Sequence, residues 1–135
     1  MPYWGICLKS SNTLIGTICL WNIEYDNQAI EIGYELNPLF QQMGFMQEAI
    51  TKVLDFGFSK MKLYLIKAVT HKDNAASIRL LQKNNFIYNE VQLNAEPELK
   101  NYLLFSLANT ALSNKVLLPV LSISFICKLF FILQL

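Results

Sequence analysis

The chemistry in this 135-residue sequence is concentrated in one stretch, Asn37-Pro38-Leu39-Phe40-Gln41-Gln42-Met43-Gly44-Phe45-Met46-Gln47-Glu48-Ala49, which runs from a strand-like segment into a helical one. At such a junction the first N–H groups of the helix lack intrahelical partners. They also share the positive end of the helix dipole, so the place suits an anion. Gly44 allows close backbone approach to a phosphate where a Cβ would obstruct it. One glycine before a helix is also an ordinary turn, and the stretch is neither a Walker loop nor a dinucleotide-binding GxGxxG. Other reactive residue types are sparse. Cys7, Cys19 and Cys127 are odd in number, far apart and without a CxxC pair or a paired histidine. They read as small reduced apolar residues rather than disulfides, metal ligands or nucleophiles. The lone His71 cannot build a zinc site and reads as a solvated loop residue.

Composition bounds what these residues can serve. At 15.5 kDa, with 53% hydrophobic and 13% aromatic residues, the chain can bury a full single-domain core. Only 16% of residues are charged and the net charge is +1, which gives no electrostatic reason for a nucleic-acid partner. All ten acidic residues precede position 100, and leaving out Lys115 and Lys128 turns the balance to −1. No charged region followed by an apolar run opens the chain at Met1-Pro2-Tyr3-Trp4, so the expected compartment is the cytoplasm.

The elements that must position the loop follow from periodicity. Trp4–Leu8, Thr13–Ile23 and Ala29–Leu36 read as three strands broken by Lys9-Ser10-Ser11-Asn12 and Glu24-Tyr25-Asp26-Asn27-Gln28, an antiparallel meander ended by Asn37-Pro38. Beyond Pro38, Phe45, Ala49, Ile50, Val53, Leu54, Gly57 and Met61 recur at three- and four-residue steps, the stripe of an amphipathic helix. Leu63–Val69 is again strand-like, and Asp73-Asn74 caps a second helix over Ala75–Lys83 with Ile78 and Leu81 inward. Phe86–Leu93 and Tyr102–Leu107 complete the order β-β-β-α-β-α-β-β, a mixed sheet with helices on it and thus an α/β class.

This order, with two spaced motifs, resembles the GNAT family of acetyl-CoA-dependent N-acetyltransferases, and within it the RimJ/RimL-like branch that acetylates ribosomal proteins. The branch's "IGYxLxPxxxGxGxxTEA" run is matched by Ile32-Gly33-Tyr34-Glu35-Leu36-Asn37-Pro38 and then Gly44-Phe45-Met46-Gln47-Glu48-Ala49. Its "NxxSxxxLxKxGF" run is matched by Asn74-Ala75-Ala76-Ser77-Ile78-Arg79-Leu80-Leu81-Gln82-Lys83-Asn84-Asn85-Phe86. The resemblance implies acetyl-CoA as cosubstrate, with pantetheine along a splayed strand edge at Leu36 and Asn37. It places pyrophosphate on the amides of Gln41, Gln42, Met43, Gly44, Phe45 and Met46, and Asn74 near the thioester. It also implies direct attack by a primary amine, a protein N-terminal α-amine or a small amine, in one ternary complex. Under that mechanism Glu35 is the candidate base with Glu31 as runner-up. Where many members carry a tyrosine acid this chain has Leu81, which leaves Ser77 as the hydroxyl on that helix; its other reading is a local bond to backbone.

Three departures accompany the resemblance. Gln42 and Met46 replace small residues of the phosphate loop, and their side chains are expected to crowd it; Asn85 replaces the glycine before Phe86 and tolerates a left-handed backbone. The family's first strand and two helices have no counterpart ahead of Trp4, so a sheet edge is expected to be uncovered, with a fragment, loss of activity or association such as a homodimer as the readings. The resemblance ends near Leu107, giving a partial acetyltransferase domain over 1–107 and a hydrophobic tail over 108–135. Val116–Leu135 is long enough to span a membrane, but Pro119 and Lys128 disfavour that reading against a packed helix or unselected appended sequence. Two functions stand: an N-acetyltransferase, or a truncated non-catalytic relative that binds CoA or serves as an interaction module.

Overall fold

The computed structural model describes residues 1–90, 97–110 and 131–134. Strands β1 (Tyr3–Cys7), β2 (Leu14–Glu24) and β3 (Ala29–Leu36) form the antiparallel meander. Helix α1 (Phe45–Asp55) runs into a π-type turn over Phe56–Lys60, closed by Met61 N–H donating to Phe56 O at 3.1 Å. Strand β4 (Leu65–His71), helix α2 (Ala75–Lys83) and strands β5 (Ile87–Asn89) and β6 (Tyr102–Ala108) follow. With β7 (Phe131–Gln134) they make a mixed seven-stranded sheet in the order β5-β6-β4-β3-β2-β1-β7. The α/β architecture is the one the patterning implies. The far end of the strand expected to reach Leu93 lies outside the described residues.

The core is built from alternation in the strands and the helical stripe. Ile18 and Leu20 of β2, Ile30 and Ile32 of β3, and Ile66 and Ala68 of β4 pack with Ala49, Ile50, Val53 and Leu54 of α1 and Leu81 of α2. Met46 joins this core, so its side chain turns inward instead of crowding the loop as the sequence suggests. Leu81 is fully buried, which keeps this position of α2 away from solvent. Helix α2 ends in a Schellman arrangement: Phe86 N–H donates to Leu81 O and Asn85 N–H to Gln82 O, both at 3.0 Å. Asn85 has φ +64° there, the left-handed conformation its side chain tolerates.

The edge expected to stand open is occupied. β7 runs parallel to β1, with Trp4 opposite Phe131 and Cys7 opposite Gln134. Residues 131–134 are therefore strand and not part of a packed helix; Pro119, Cys127 and Lys128 lie outside the described residues. Among the described residues no helix is long and apolar enough to cross a membrane. Cys7 and Cys19 are buried and not disulfide-bonded.

Parallel pairing between β3 and β4 covers only Ala29↔Leu65, Ile30↔Ile66 and Glu31↔Lys67. At that last rung sits a buried polar cluster. Lys67 is 1% exposed and its Nζ donates to Glu24 Oε1. Asn27 Nδ2 also donates to Glu24, and Asn22 Nδ2 donates to Glu31 Oε1 at 2.8 Å. Burial raises the Glu31 pKa above the ordinary 4.5; the Asn22 bond and the Lys67 charge oppose that rise and the Glu24 charge adds to it. The folded state therefore holds the Glu31 proton more tightly than the unfolded chain. Its contribution is present at low pH and is lost as pH climbs from about 4.5 through the raised value. Glu31→Gln keeps the Asn22 bond and removes the buried charge. Denaturant unfolding across pH should show wild type losing stability relative to Glu31→Gln over that window, with no further relative change above it.

Candidate active site

Beyond the Glu31–Lys67 rung the sheet forks: β3 stays paired with β2 as far as Leu36, while β4 stays paired with β6 as far as His71. A cleft of about 500 Å³ lies at the fork, bounded by the end of β3, the loop after it, the first turn of α1 and the length of α2. It is lined by nine of the eleven residues singled out from sequence: Glu35, Leu36, Gln41, Gln42, Gly44, Phe45, Met46, Asn74 and Ser77. Asn37 and Met43 do not line it. Asn37 faces its own turn, accepting from Leu39 N–H at 3.0 Å through Oδ1, and its backbone N–H donates to Ile15 O of β2 at 2.7 Å. It therefore has no spare backbone N–H for pantetheine. Met43 is 64% exposed at the loop's outer side.

Local sequence explains the cleft walls. Pro38 opens a single 3-10 turn over Pro38–Phe40, after which Gln41 Nε2 reaches back to Leu36 O at 3.0 Å and holds the strand end. Gln42 and Gly44 both take positive φ, +61° and +87°. An added Cβ on Gly44 would meet no atom within 4 Å, so glycine is needed there for conformation rather than for room inside the protein. Across the cleft, Asn74 caps α2 by accepting from Ser77 N–H at 3.1 Å.

That cap turns Ser77, itself buried, toward β3, where its Oγ lies 2.7 Å from the Tyr34 phenol oxygen. Tyr34 is the residue sequence reasoning missed; the signal was the tyrosine in Ile32-Gly33-Tyr34, which pointed to a strand motif and not to a partner on a distant helix. Burial pushes the Tyr34 pKa above 10.0, against the pull of the Ser77 bond. The phenol is thus a proton donor across the neutral range. Glu35, the next residue of β3, lines the cleft as well; it is exposed and accepts from Thr17 Oγ1 at 3.4 Å. Glu31 is held in the buried cluster and does not line the cleft, and neither does His71, whose Nδ1 accepts from Asp73 N–H. Among the described residues no group of His, Cys, Asp and Glu is placed to hold a metal ion.

One contact ties the two helices across the cleft. Gln47 and Asn84 exchange amide hydrogen bonds, both at 2.8 Å, and Asn84 Nδ2 also reaches Leu80 O. Gln47 stands in the first turn of α1, and Asn84 closes α2. Gln47→Leu would leave the Oδ1 of buried Asn84 without its donor and is expected to cost about 1–3 kcal/mol in chemical denaturation. A second constraint is Gly16, where an added Cβ would lie 2.4 Å from Glu35 O. Gly16→Ala must push the end of β3 away from β2. A loss of roughly 1–3 kcal/mol in unfolding free energy is expected, together with weaker ligand binding in the cleft by calorimetry.

The comparisons with known proteins agree with this geometry. The family model for the acetyltransferase (GNAT) domain matches residues 1–87. The uncharacterized N-acetyltransferase YoaA of Bacillus subtilis (strain 168) is 43% identical over 83 residues, 62% of this chain and 47% of that protein. The chain thus spans about half the length of the relatives it matches. Among solved structures, a GNAT-family acetyltransferase from Bacillus anthracis superposes with a TM-score of 0.66 at 25% identity, over 76% of this chain and 63% of that one. The ribosomal-protein-S5-alanine acetyltransferase from Vibrio fischeri superposes with a TM-score of 0.64 at 24% identity, over 76% and 58% of the two chains. A shared domain model across most of the chain, a mixed sheet forked beside a strand-to-helix loop, and a capped second helix facing the fork have one common explanation: the chain belongs to the GNAT family of acetyltransferases.

Proposed function

We propose that the cleft binds acetyl-CoA and passes its acetyl group to a primary amine by direct attack, with no covalent acyl-enzyme. The observation that carries this reading is a hydroxyl couple, Tyr34–Ser77, in a cleft whose other wall is an anion-suited loop, with Glu35 next along β3 at the same rim. Holding both reactants in one site makes the attack effectively intramolecular. Glu35, open to solvent, takes the proton from the substrate ammonium directly or through water, which frees the nitrogen lone pair. The amine nitrogen bonds to the thioester carbonyl carbon, the carbon–sulfur bond breaks, and the departing thiolate takes a proton from the Tyr34–Ser77 couple. The second proton on nitrogen leaves to solvent. Ser77 orients the phenol as well as lining the cleft, so the acid is the pair rather than the serine alone.

The acceptor is a protein N-terminal α-amine or a small amine, in the cytoplasm. The motif match to the RimJ/RimL-like branch supports the former. A second reading, a CoA-binding or interaction module without turnover, is favoured by one observation. Gln42 holds a left-handed backbone in the loop before α1, where the motif it resembles has a small residue, at a cost of about 1–2 kcal/mol.

Calorimetry with acetyl-CoA followed by thiol release with a panel of amines separates the readings: binding without release supports the CoA-binding module, and no binding at millimolar ligand overturns the enzyme reading. In an active protein Tyr34→Phe and Glu35→Gln should each lower kcat by about 10²-fold. Unchanged rates would remove these residues from the mechanism.

A further inference from the structure

Two cations in the cleft have no part in the transfer chemistry. Arg79, the one arginine of the chain, and Lys83 line it from α2. They are four residues apart and so share one face of the helix. Both are exposed, and neither takes part in any ion pair among the described residues. Like charges at this spacing repel. The helix dipole accounts for Lys83 in the last turn of α2, but Arg79 sits in the middle of the helix, where the dipole does nothing for it.

Their place along the cleft identifies what they face. Ser77 marks the reacting end, and Arg79 and Lys83 lie about 3 and 9 Å further along the helix axis. At that far end Asn84 is bonded to Gln47 of α1, which brings Lys83 beside the loop over 41–46. In CoA the thiol and the phosphates stand at opposite ends, so a thioester at Ser77 sends the phosphates toward these cations. The diphosphate carries about one negative charge per phosphorus, and the backbone N–H groups of the loop suit it. The remaining phosphate, a monoester on the ribose, carries nearly two charges and has no backbone cradle. A forked guanidinium and a point-charge ammonium one turn apart match that dianion.

We propose that Arg79 and Lys83 form a subsite for the ribose 3′-phosphate and make the cleft selective for CoA over dephospho-CoA. This assignment rests on the acetyl-CoA reading of the cleft and sharpens it. The test is calorimetric titration of the full chain with CoA and with dephospho-CoA, for wild type and for the double variant Arg79→Gln/Lys83→Gln, with matched melting temperatures as the folding control. Wild type should bind CoA at least about tenfold more tightly than dephospho-CoA. The double variant should bind both ligands at the wild-type level for dephospho-CoA, and the salt dependence of CoA binding should become shallower. Equal weakening of both ligands would assign the cations to the diphosphate and overturn the subsite. A wild type that does not distinguish the two ligands would also overturn it while leaving the acetyl-CoA reading intact. If wild type binds neither ligand, the reading of the cleft fails and the subsite with it.

Discussion

Parallel strands satisfy each other's backbone groups only while they run side by side, and β3 and β4 do so for three residue pairs before parting. Each then keeps a different antiparallel partner, β2 for β3 and β6 for β4, so the fork opens without exposing either strand on both edges. The last shared rung carries Glu31 and Lys67 and is the most desolvated polar place on the sheet. Lys67 needs Glu24 there, and Glu24 lies on the neighbouring strand beyond β3. A register slip of one residue would turn Lys67 toward the apolar face packed by α1, with nothing to offset its charge. The point at which the sheet divides is fixed by that requirement, and the cleft takes its position from it.

The rest of the site is arranged around the fork by short-range devices. Gly16 lets β2 lie close against the end of β3, and the Gln41 side chain ties Leu36 to the loop. Asn74 caps α2 and presents Ser77 to Tyr34, while Asn84 and Asn85 end the same helix and join it to α1. Asparagine thus performs three different tasks at the two ends of one nine-residue helix. The tasks are a cap, a left-handed stop and an amide lock, each drawing on the donor and acceptor of a short side chain.

Much of this was legible from pattern because it is local. Ala29–Leu36 and Ala75–Lys83 have the bounds that alternation, turn residues and capping predict. The loop before α1 sits where the change of period placed it. What escaped is long-range or depends on a side chain's turn. Tyr34 and Ser77 meet across 43 residues of sequence, and no spacing rule reports that contact. Met46 reads as an obstacle in the loop, yet it is the first inward position of α1's stripe. Asn37 reads as part of a binding edge, but its N–H is already committed to Ile15. The strand at Phe131–Gln134 lies within an apolar run that carries no period, and a reading by length as a span or a packed helix passes over the strand.

The pairing of β7 with β1 has a kinetic side. The meander of β1, β2 and β3 closes loops of only a few residues and can form early, whereas the parallel partner of β1 arrives from far down the chain. Until it docks, Trp4, Ile6 and their neighbours present an apolar strand with one unsatisfied rim, a template for any other extended chain nearby. Refolding yield should therefore be governed by a race between an intramolecular search and collision with other molecules, and dilution favours the former.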